Sequence, residues 1–341
     1  MSSPEGDVIL SVAPQGFMWT TQDPFLFCVH HDDAYPEGDA AMAPKASLAG
    51  RNIGSDFEGI DGWRMYHGST VPGFPSHPHR GFETVTLVRQ GLADHHDSMG
   101  AAGRFGGGDA QWMTAGAGVQ HSEMFPLVHQ DKPNPLELFQ IWLNLPARNK
   151  MVPAHYKMLW REQIPTVHTT DADGRGVEVT VVAGPLHDAT PPSPPPHSWA
   201  SEAGSDVAIW TISLEPGARW TVPAAPQGVN RTLYVFEGSL QIAGRSIGAV
   251  TGVRVRPDVD LPIQGGAATT QVLLLQGRPI GEPVAQYGPF VMNTQAEIHR
   301  AFYDYQRTAF GGWPWPTSDP VHGREQGRFA RHADGAVDRP A

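Results

Sequence analysis

The sequence predicts an all-β protein with two β-barrel or sandwich domains in tandem. Short runs rich in β-branched residues end at glycines in both halves, such as FETVTLV (82–88) before Gly91 and TTQVLLLQ (269–276) before Gly277. Regularly spaced short strands with turn signals are typical of these folds. The 38 glycines and 32 prolines also favour turns over long helices. A length of 341 residues is natural for two domains.

The first predicted domain covers residues 1–150. Strand-like DVILSV and PFLFCVHH precede residues 35–66, which are rich in Gly, Ala and Asp. A connection of that length in a compact domain often has a function, so we expect it to form a lid or a rim. From residue 71 to 145, short apolar strands alternate with glycines and no helical period is visible.

Residues 151–175 are interpreted as a linker, after which GVEVTVVAGPL opens a second β domain over residues 176–316. The proline-rich PPSPPPHSW within it is interpreted as a stiff surface loop. The segment TQAEIHRAFYDYQR (294–307) carries a T-x-x-E capping box and apolar residues at helical spacing, which predict an amphipathic helix. Residues 317–341 form a polar tail that we expect to be loosely ordered.

Composition limits the partners and the compartment. A net charge of -11 without a basic block argues against direct binding to nucleic acid or to an anionic membrane, although it leaves protein partners open. No segment has the roughly 18 apolar residues of a membrane span. The single cysteine, Cys28, excludes an internal disulfide and lies in an apolar run, so we interpret it as a buried, inert thiol. These features predict a soluble cytoplasmic protein.

Two short pairs of polar residues carry the predicted chemistry. His77 and His79 flank Pro78, and because proline has no N–H to donate, they belong at a strand edge or start. His121 and Glu123 are again two residues apart. Side chains at i and i+2 of a strand share one face, so both pairs can point into one barrel. We therefore predict that three imidazoles and one carboxylate converge.

Three nitrogen ligands and one oxygen ligand without a thiolate suit a borderline divalent metal, namely Fe, Mn, Co, Ni, Cu or Zn. Fe(II) fits a site that keeps open positions for O₂ and a substrate, and Zn²⁺ held by three histidines is its chemical rival. The second half of the chain has no histidine between His197 and His299. We therefore expect its barrel to be metal-free and to brace or cover the first.

Other polar residues near the ligands have alternative interpretations. Glu83 follows His79 by four residues and is a candidate fifth ligand or an acceptor for the N–H of a ligand. Arg80 is expected either to pair with a carboxylate near the rim, and so to support the site, or to face solvent, and we prefer the supporting role. His95 and His96 lie beside turn residues, which favours surface or hydrogen-bonding roles. We assign the same roles to His30, His31 and His67, and core packing to Trp112, Met113 and Trp142.

The motifs HPHRGFETVTLV, GDAQWMTAGAGVQHSEMF and YGPFVMNTQAEI, followed by DYQ and FGGWP, resemble the pirin family of the cupin superfamily. The resemblance implies two tandem cupin barrels, each a double-stranded β-helix or jelly roll. It also implies metal ligands at His77, His79, His121 and Glu123, with iron as the usual metal and no ligand role for Glu83. Gly116 stands where many cupins have proline, which is itself similar to pirins.

Several pirins resemble quercetinases, which use a mononuclear metal and O₂ to open the central ring of a flavonol with release of carbon monoxide. The resemblance thus implies a flavonol-like aromatic substrate, with Glu123 as candidate base for the hydroxyl proton. Other pirins are described as iron-dependent co-regulators, so a redox-responsive protein-interaction or transcriptional module without turnover is the alternative. A zinc-type hydrolase or isomerase on the same scaffold is a third hypothesis.

Overall fold

A computed structural model describes residues 8–341, which fold almost entirely as β-strands. The single α-helix of this part of the chain, α1, spans Gln295–Thr308, and it is neither long nor apolar enough to cross a membrane. In chain order the strands are β1 (Ile9–Pro14), β2 (Met18–Trp19), β3 (Phe25–Asp33), β4 (Gly73–His79), β5 (Phe82–Gln90), β6 (Leu92–Asp97), β7 (Ala102–Gly106), β8 (Asp109–Thr114), β9 (Val119–Met124), β10 (Leu136–Asn144), β11 (His155–Leu159), β12 (Thr166–Thr170), β13 (Gly176–Ala183), β14 (Ala208–Leu214), β15 (Arg219–Val222), β16 (Asn230–Glu237), β17 (Ser239–Ile242), β18 (Arg245–Gly248), β19 (Thr251–Val255), β20 (Leu261–Gly265), β21 (Thr270–Gly277), β22 (Ala285–Tyr287), β23 (Phe290–Met292), β24 (Phe329–Arg331) and β25 (Val337–Asp338).

The chain forms two compact units, and neither is continuous in sequence. The first barrel unit consists of residues 30–162 and 282–341, and the second barrel unit consists of residues 8–29 and 163–281. In the first unit the sheets have the orders β11-β8-β5-β10-β3 and β25-β24-β7-β6-β9-β4. In the second they are β1-β19-β16-β21-β14-β13-β12 and β15-β20-β17-β18. The central strands correspond in order, β8-β5-β10-β3 to β19-β16-β21-β14 and β7-β6-β9-β4 to β18-β17-β20-β15. Strands β4, β5 and β9 are thus equivalent to β15, β16 and β20, and the predicted pair of barrels is confirmed.

This grouping differs from the predicted boundaries at 150, 176 and 316. The predicted linker contains β11, which pairs with β8, and β12, which pairs with β13. Strand β1 pairs with β19 and so completes the second unit, whereas α1 belongs to the first unit. Local sequence patterns do not show which distant strands pair with one another. The prediction therefore grouped β1, β11, β12 and α1 with the segments that are closest to them in sequence.

The two barrel cores differ in composition. The second unit is filled by aliphatic side chains such as Val179, Leu233 and Leu274. The core of the first unit contains Tyr35, Trp63, Met65 and Tyr66, all contributed by the segment expected to be a lid or a rim, and all at most 2% exposed. Burial of these large apolar side chains fixes the ends of the segment in the core. The segment is therefore packed into the first unit and does not hang over it as a free lid.

Helix α1 begins as the capping box predicts. Thr294 is the N-cap, where its hydroxyl accepts from the N–H of Glu297 at 3.2 Å. The Glu297 carboxylate reaches back to accept from the N–H of Asn293 at 3.1 Å. The apolar face then packs Ile298 and Ala301 against the strands β22 and β23. The predicted amphipathic helix is confirmed, with its first residue at Gln295.

The polar tail is ordered, contrary to our expectation. Strand β24 pairs with β7, and Ala330 is fully buried there. The guanidinium of the buried Arg104 donates to the carbonyls of Gly323 and Gln326, both at 2.9 Å, and to that of His322 at 3.0 Å. A polar sequence predicts looseness only when its backbone has no partners, and here one buried arginine and a sheet edge supply them.

Buried His96 predicts a pH-dependent stability. Its ring stacks on His322 with centroids 4.3 Å apart and is only 3% exposed. Burial, and then the neighbouring His322, His95, Arg331 and Arg104, lower the pKa of His96 to about 2. Between that value and about 6.5 the unfolded chain binds a proton that the folded chain does not, so stability falls as the pH falls through this window.

We expect this residue to contribute a loss of roughly 1.4 kcal/mol per pH unit below pH 6. Urea unfolding between pH 7 and pH 4.5 measures the slope for wild type and for His96→Phe, which should be flatter. His168→Phe is the control, because this imidazole is 71% exposed on the second unit. Equal slopes for His96→Phe and wild type would contradict the prediction.

Candidate metal centre

The predicted histidine pairs lie on adjacent antiparallel strands of the first barrel unit. In the pairing of β4 with β9, His77 is opposite His121 and Pro78 is opposite Gln120. Strand β4 is the edge of its sheet, so the missing N–H of Pro78 costs no ladder bond. The edge position expected from the proline is therefore observed, and it brings both histidine-bearing strands together.

Three imidazoles converge at this point. The ring centroids of His77 and His121 are 4.5 Å apart, those of His79 and His121 are 4.9 Å apart, and those of His77 and His79 are 4.7 Å apart. One potential ligand atom from each ring lies within 4.8 Å of the others. Among the described residues, this is the one such group of three or more potential metal-ligating side chains.

Hydrogen bonds orient two of the rings. His77 Nδ1 lies 2.8 Å from the carbonyl oxygen of Pro75, and His79 Nδ1 lies 3.4 Å from that of Pro289. A carbonyl only accepts, so Nδ1 carries the proton in each ring and Nε2 keeps its lone pair. Backbone acceptors of this kind are the usual outer partners of metal-binding histidines.

His121 tests whether the site fits a metal. Its ring is fully buried, and neither Nδ1 nor Nε2 has a hydrogen-bond partner. An unpaired buried nitrogen costs roughly 1–3 kcal/mol, which coordination of a metal ion would offset. Burial lowers the pKa of all three imidazoles, that of His77 to about 4, and therefore keeps them in the neutral form that binds metals. The donor set fits a divalent transition metal.

Glu123 lies beside the histidines without joining their cluster. Its side chain is on the same face of β9 as His121 and is only 4% exposed. The hydroxyl of Thr86 donates to its Oε1 at 2.7 Å, and burial raises the pKa of the carboxyl. The convergence predicted from the sequence is thus observed for the three imidazoles, and the carboxylate is held by Thr86.

His95 is the neighbour that the sequence reasoning missed. It is fully buried on β6 opposite Glu123, and its ring stacks on Tyr156 and lies 5.6 Å from that of His121. Its Nε2 lies 3.2 Å from a carboxylate oxygen of Asp97, so of the two predicted alternatives, surface or hydrogen bonding, the hydrogen-bonding role is confirmed. The sequence pattern that could have indicated this role is the spacing of His95 and Asp97, which are again at i and i+2.

Glu83 and Arg80 were the other residues predicted near the ligands, and their positions differ. Gly81 has φ +86° and turns the chain between β4 and β5, so Glu83 does not continue the ligand face of β4. The Glu83 carboxylate instead accepts from the hydroxyl of Thr114 at 2.6 Å. Arg80 does pair with a carboxylate, that of Asp304 on α1 at 3.0 Å. Glu83 therefore lies on a strand separate from β4, and its carboxylate is held by Thr114.

Two of the three residues expected in the core are there. Trp112 and Met113 are fully buried. Trp142 is only half-buried, and its ring lies 5.4 Å from that of His79 and 4.2 Å from that of Phe82. Phe74 is also half-buried, 6.4 Å from His77. Aromatic rings therefore adjoin two of the three imidazoles.

The segment after residue 282 holds the residues that flank the ligands. The side-chain amide of Gln120, next to His121, donates to the carbonyl of Ala309 at 2.7 Å and accepts from the hydroxyl of Tyr305 at 3.1 Å. Together with the contacts of Arg80 and His79 described above, these bonds fix both ligand strands to α1 and its flanking turns. Local strand geometry and a distant chain segment jointly position the three imidazoles.

Two jelly-roll barrels, one with three convergent imidazoles between neighbouring strands, define a two-domain protein of the cupin type. Residues 18–143 match the family profile described as Pirin, and residues 209–311 match the profile described as Pirin C-terminal cupin domain. The chain therefore belongs to the pirin family.

Relatives and solved structures agree with this assignment. A Pseudomonas aeruginosa protein named "Putative quercetin 2,3-dioxygenase" is 39% identical over 245 residues, which cover 69% of this chain and 79% of the relative. Pirin-1 of Arabidopsis thaliana is 40% identical over 256 residues, which cover 71% and 80% of the two chains. A crystal structure of quercetin 2,3-dioxygenase from Acinetobacter baumannii has a TM-score of 0.70 at 28% identity and covers 89% of this chain and 98% of its own.

Proposed function

We propose that the protein is a metal-dependent dioxygenase that uses O₂ to open the ring of a flavonol-like aromatic substrate. The relatives named as quercetin 2,3-dioxygenases support the reaction class. The observation that carries the proposal is His121, whose buried ring has two unpaired nitrogens within a cluster of three imidazoles. Because neither ring nitrogen of the neutral His121 forms a hydrogen bond within the described part of the protein, its lone pair is available to a metal.

His77, His79 and His121 would hold the metal, with Glu123 as the candidate fourth ligand, and Fe(II) is the metal that best suits such donors and O₂ chemistry. When bound, it supplies Lewis-acid activation of a substrate oxygen and a position for O₂ beside it. Trp142 and Phe74, which adjoin His79 and His77, would receive a flat aromatic ring by stacking or edge contact.

When it is not bound to the metal, Glu123 would act as the base that takes the hydroxyl proton of the substrate. Burial raises the pKa of its carboxyl, which makes it a better proton acceptor than an exposed glutamate. Because Thr86 donates to Oε1, that oxygen is held in place and the orientation of the carboxyl is fixed. The position of Glu123 outside the histidine cluster supports a base that works beside the metal.

Thr86→Val tests the role of this hydrogen bond. Valine has a similar shape but no hydroxyl, so Glu123 loses the donor at 2.7 Å. We expect kcat to fall roughly 10- to 100-fold, the usual effect of losing an outer partner of a metal site. The pH dependence of kcat should shift, because the donated bond favours the ionised carboxylate.

Steady-state rates and metal content from pH 6 to pH 9 measure these effects. Thr84→Val is the matched control, because the Thr84 hydroxyl is buried on the same strand without a hydrogen-bond partner in the described part of the chain. An unchanged rate and pH profile for Thr86→Val would contradict a role for Thr86 in orienting the base.

The reaction itself is tested by loading the protein anaerobically with Fe(II) and then adding quercetin and air. We expect loss of the flavonol absorbance and release of about one carbon monoxide per flavonol consumed, with none from metal-free protein. Parallel loading with Mn, Co, Ni, Cu and Zn identifies the metal that supports turnover. A fully metallated protein that leaves quercetin and related flavonols unchanged would refute the proposal and favour the interaction module.

A further inference from the structure

The second barrel unit contains a cavity of about 280 Å³. It is lined by residues 223–226, which belong to the connection between β15 and β16, and its walls include Leu186, Val207, Ala208 and Trp210. Small-molecule sites are commonly concave and mostly apolar, with a few polar groups that fix the orientation of the ligand. The polar groups that line this cavity therefore indicate what it can bind.

A buried arginine lines the cavity. Arg231 belongs to β16 and lies on the same face of that strand as Leu233 and Val235, which are in the apolar core. It is 2% exposed. Its Nε donates to the side-chain oxygen of Gln276 at 2.7 Å, whereas Nη1 is buried without a hydrogen-bond partner. A buried cationic donor without an acceptor is costly, so this group is suited to an incoming anion.

The nearby carboxylates of Asp206 and Asp260 have other hydrogen-bond partners in the described part of the chain. Asp206, which also lines the cavity, pairs with Arg278 at 3.1 Å. Asp260, whose field acts on Arg231, accepts from the backbone N–H of Ala224 at 2.8 Å. Burial lowers the pKa of Arg231 to about 10, and it therefore stays protonated at neutral pH. His187 is the remaining titratable side chain of the lining.

We propose that this cavity binds a small monocarboxylate with an apolar body, and that the carboxylate is held by the Arg231 guanidinium. A guanidinium matches the two oxygens of a carboxylate, and the apolar walls suit an aromatic or aliphatic remainder. A strongly hydrated dianion such as inorganic phosphate would lose its water against those walls without enough donors to replace it.

Because the two barrels have equivalent strands, the location of this cavity can be compared with that of the histidine cluster in the first unit. Strands β15 and β16 correspond to β4 and β5, and the histidine cluster of the first unit lies where β4 ends. On the corresponding strands of the second unit, Val222, Leu261 and Ile263 are buried and apolar. The same end of the barrel thus carries a cationic pocket for an organic acid. This inference does not depend on the proposed dioxygenase activity.

Titration calorimetry of the full-length, metal-loaded protein with sodium benzoate tests the proposal. We expect one saturable site with a Kd on the order of 1 mM or tighter. Arg231→Met should weaken binding more than tenfold. Arg231→Lys keeps the positive charge, disturbs the fold less than Arg231→Met, and should weaken binding several-fold. Arg245→Met, an exposed arginine on β18 of the same unit, should bind benzoate as wild type does.

Two further binding measurements locate the site and define the class of ligand. His121→Ala should bind benzoate normally, which separates this cavity from the histidine cluster, and inorganic phosphate should not compete. The proposal is overturned if benzoate shows no saturable binding, if both Arg231 variants bind it like wild type, or if His121→Ala abolishes binding. Competition by phosphate at equal concentration would overturn the assignment to a carboxylate with an apolar body.

Discussion

His121→Ala is expected to abolish metal binding and turnover while the metal-free protein stays folded. The wild-type ring is fully buried with both nitrogens unpaired, so its removal deletes a polar group that the metal-free fold cannot satisfy. That gain offsets part of the cost of the cavity left by the ring. We expect the free energy of unfolding of the metal-free variant to remain within about 1–2 kcal/mol of wild type.

Metal analysis and thermal unfolding with and without Fe(II) measure both effects. Wild type should gain stability from the metal, because a ligand that binds only the folded state shifts the equilibrium. His121→Ala should gain none, and His77→Ala should behave in the same way. His168→Ala, which removes an exposed histidine from the second unit, should keep full metal content. Full metal content in either His121→Ala or His77→Ala would refute the ligand assignment.

Arg104→Met is expected to give the largest loss of stability. The guanidinium is fully buried and forms two hydrogen bonds with Asp94, at 2.7 and 2.8 Å, in addition to its four bonds to carbonyls of the tail. Its removal leaves the Asp94 carboxylate buried without its cation and the tail without its anchor. We expect a loss of roughly 3–5 kcal/mol, the usual cost of breaking a buried ion pair from one side.

Chemical unfolding measures the loss, and limited proteolysis should show new cleavage between residues 317 and 341. In the double variant Arg104→Met with Asp94→Asn, part of the lost stability should return, because the uncompensated charge is gone. Arg256→Met is the control, since its ion pair with Asp258 is about one-third exposed on both sides and is worth less than about 1 kcal/mol. A tail that resists proteolysis in Arg104→Met would refute its role as the anchor.

The sequence was most informative where structure follows from local spacing. Two pairs of residues at i and i+2, one interrupted by a proline, were enough to predict strand faces, an edge strand and three imidazoles that meet. The capping box at Thr294 predicted the start of α1 for the same reason, because the N-cap and Glu297 belong to a single turn. Such features depend on a few consecutive backbone torsions and not on distant parts of the chain.

The sequence was least informative where the partners are far apart. The partner of Arg80 lies on α1, more than 200 residues away, and β1 pairs with a strand of the second unit. The order of the tail depends on the buried Arg104 and on the pairing of β24 with β7, and a polar composition gives no sign of either. His95 was missed because its burial depends on Tyr156 and on the neighbouring strand β9.

The discontinuity of the first barrel unit has a consequence for biosynthesis. Pro289, Asp304 and Ala309, whose contacts position the ligand strands, are made by the ribosome long after the three imidazoles. A nascent chain therefore carries the histidines well before it carries the groups that orient them. The histidine cluster reaches its final arrangement only after residues 289–309 have been synthesised, so a chain that terminates before them is unable to form a correctly assembled centre.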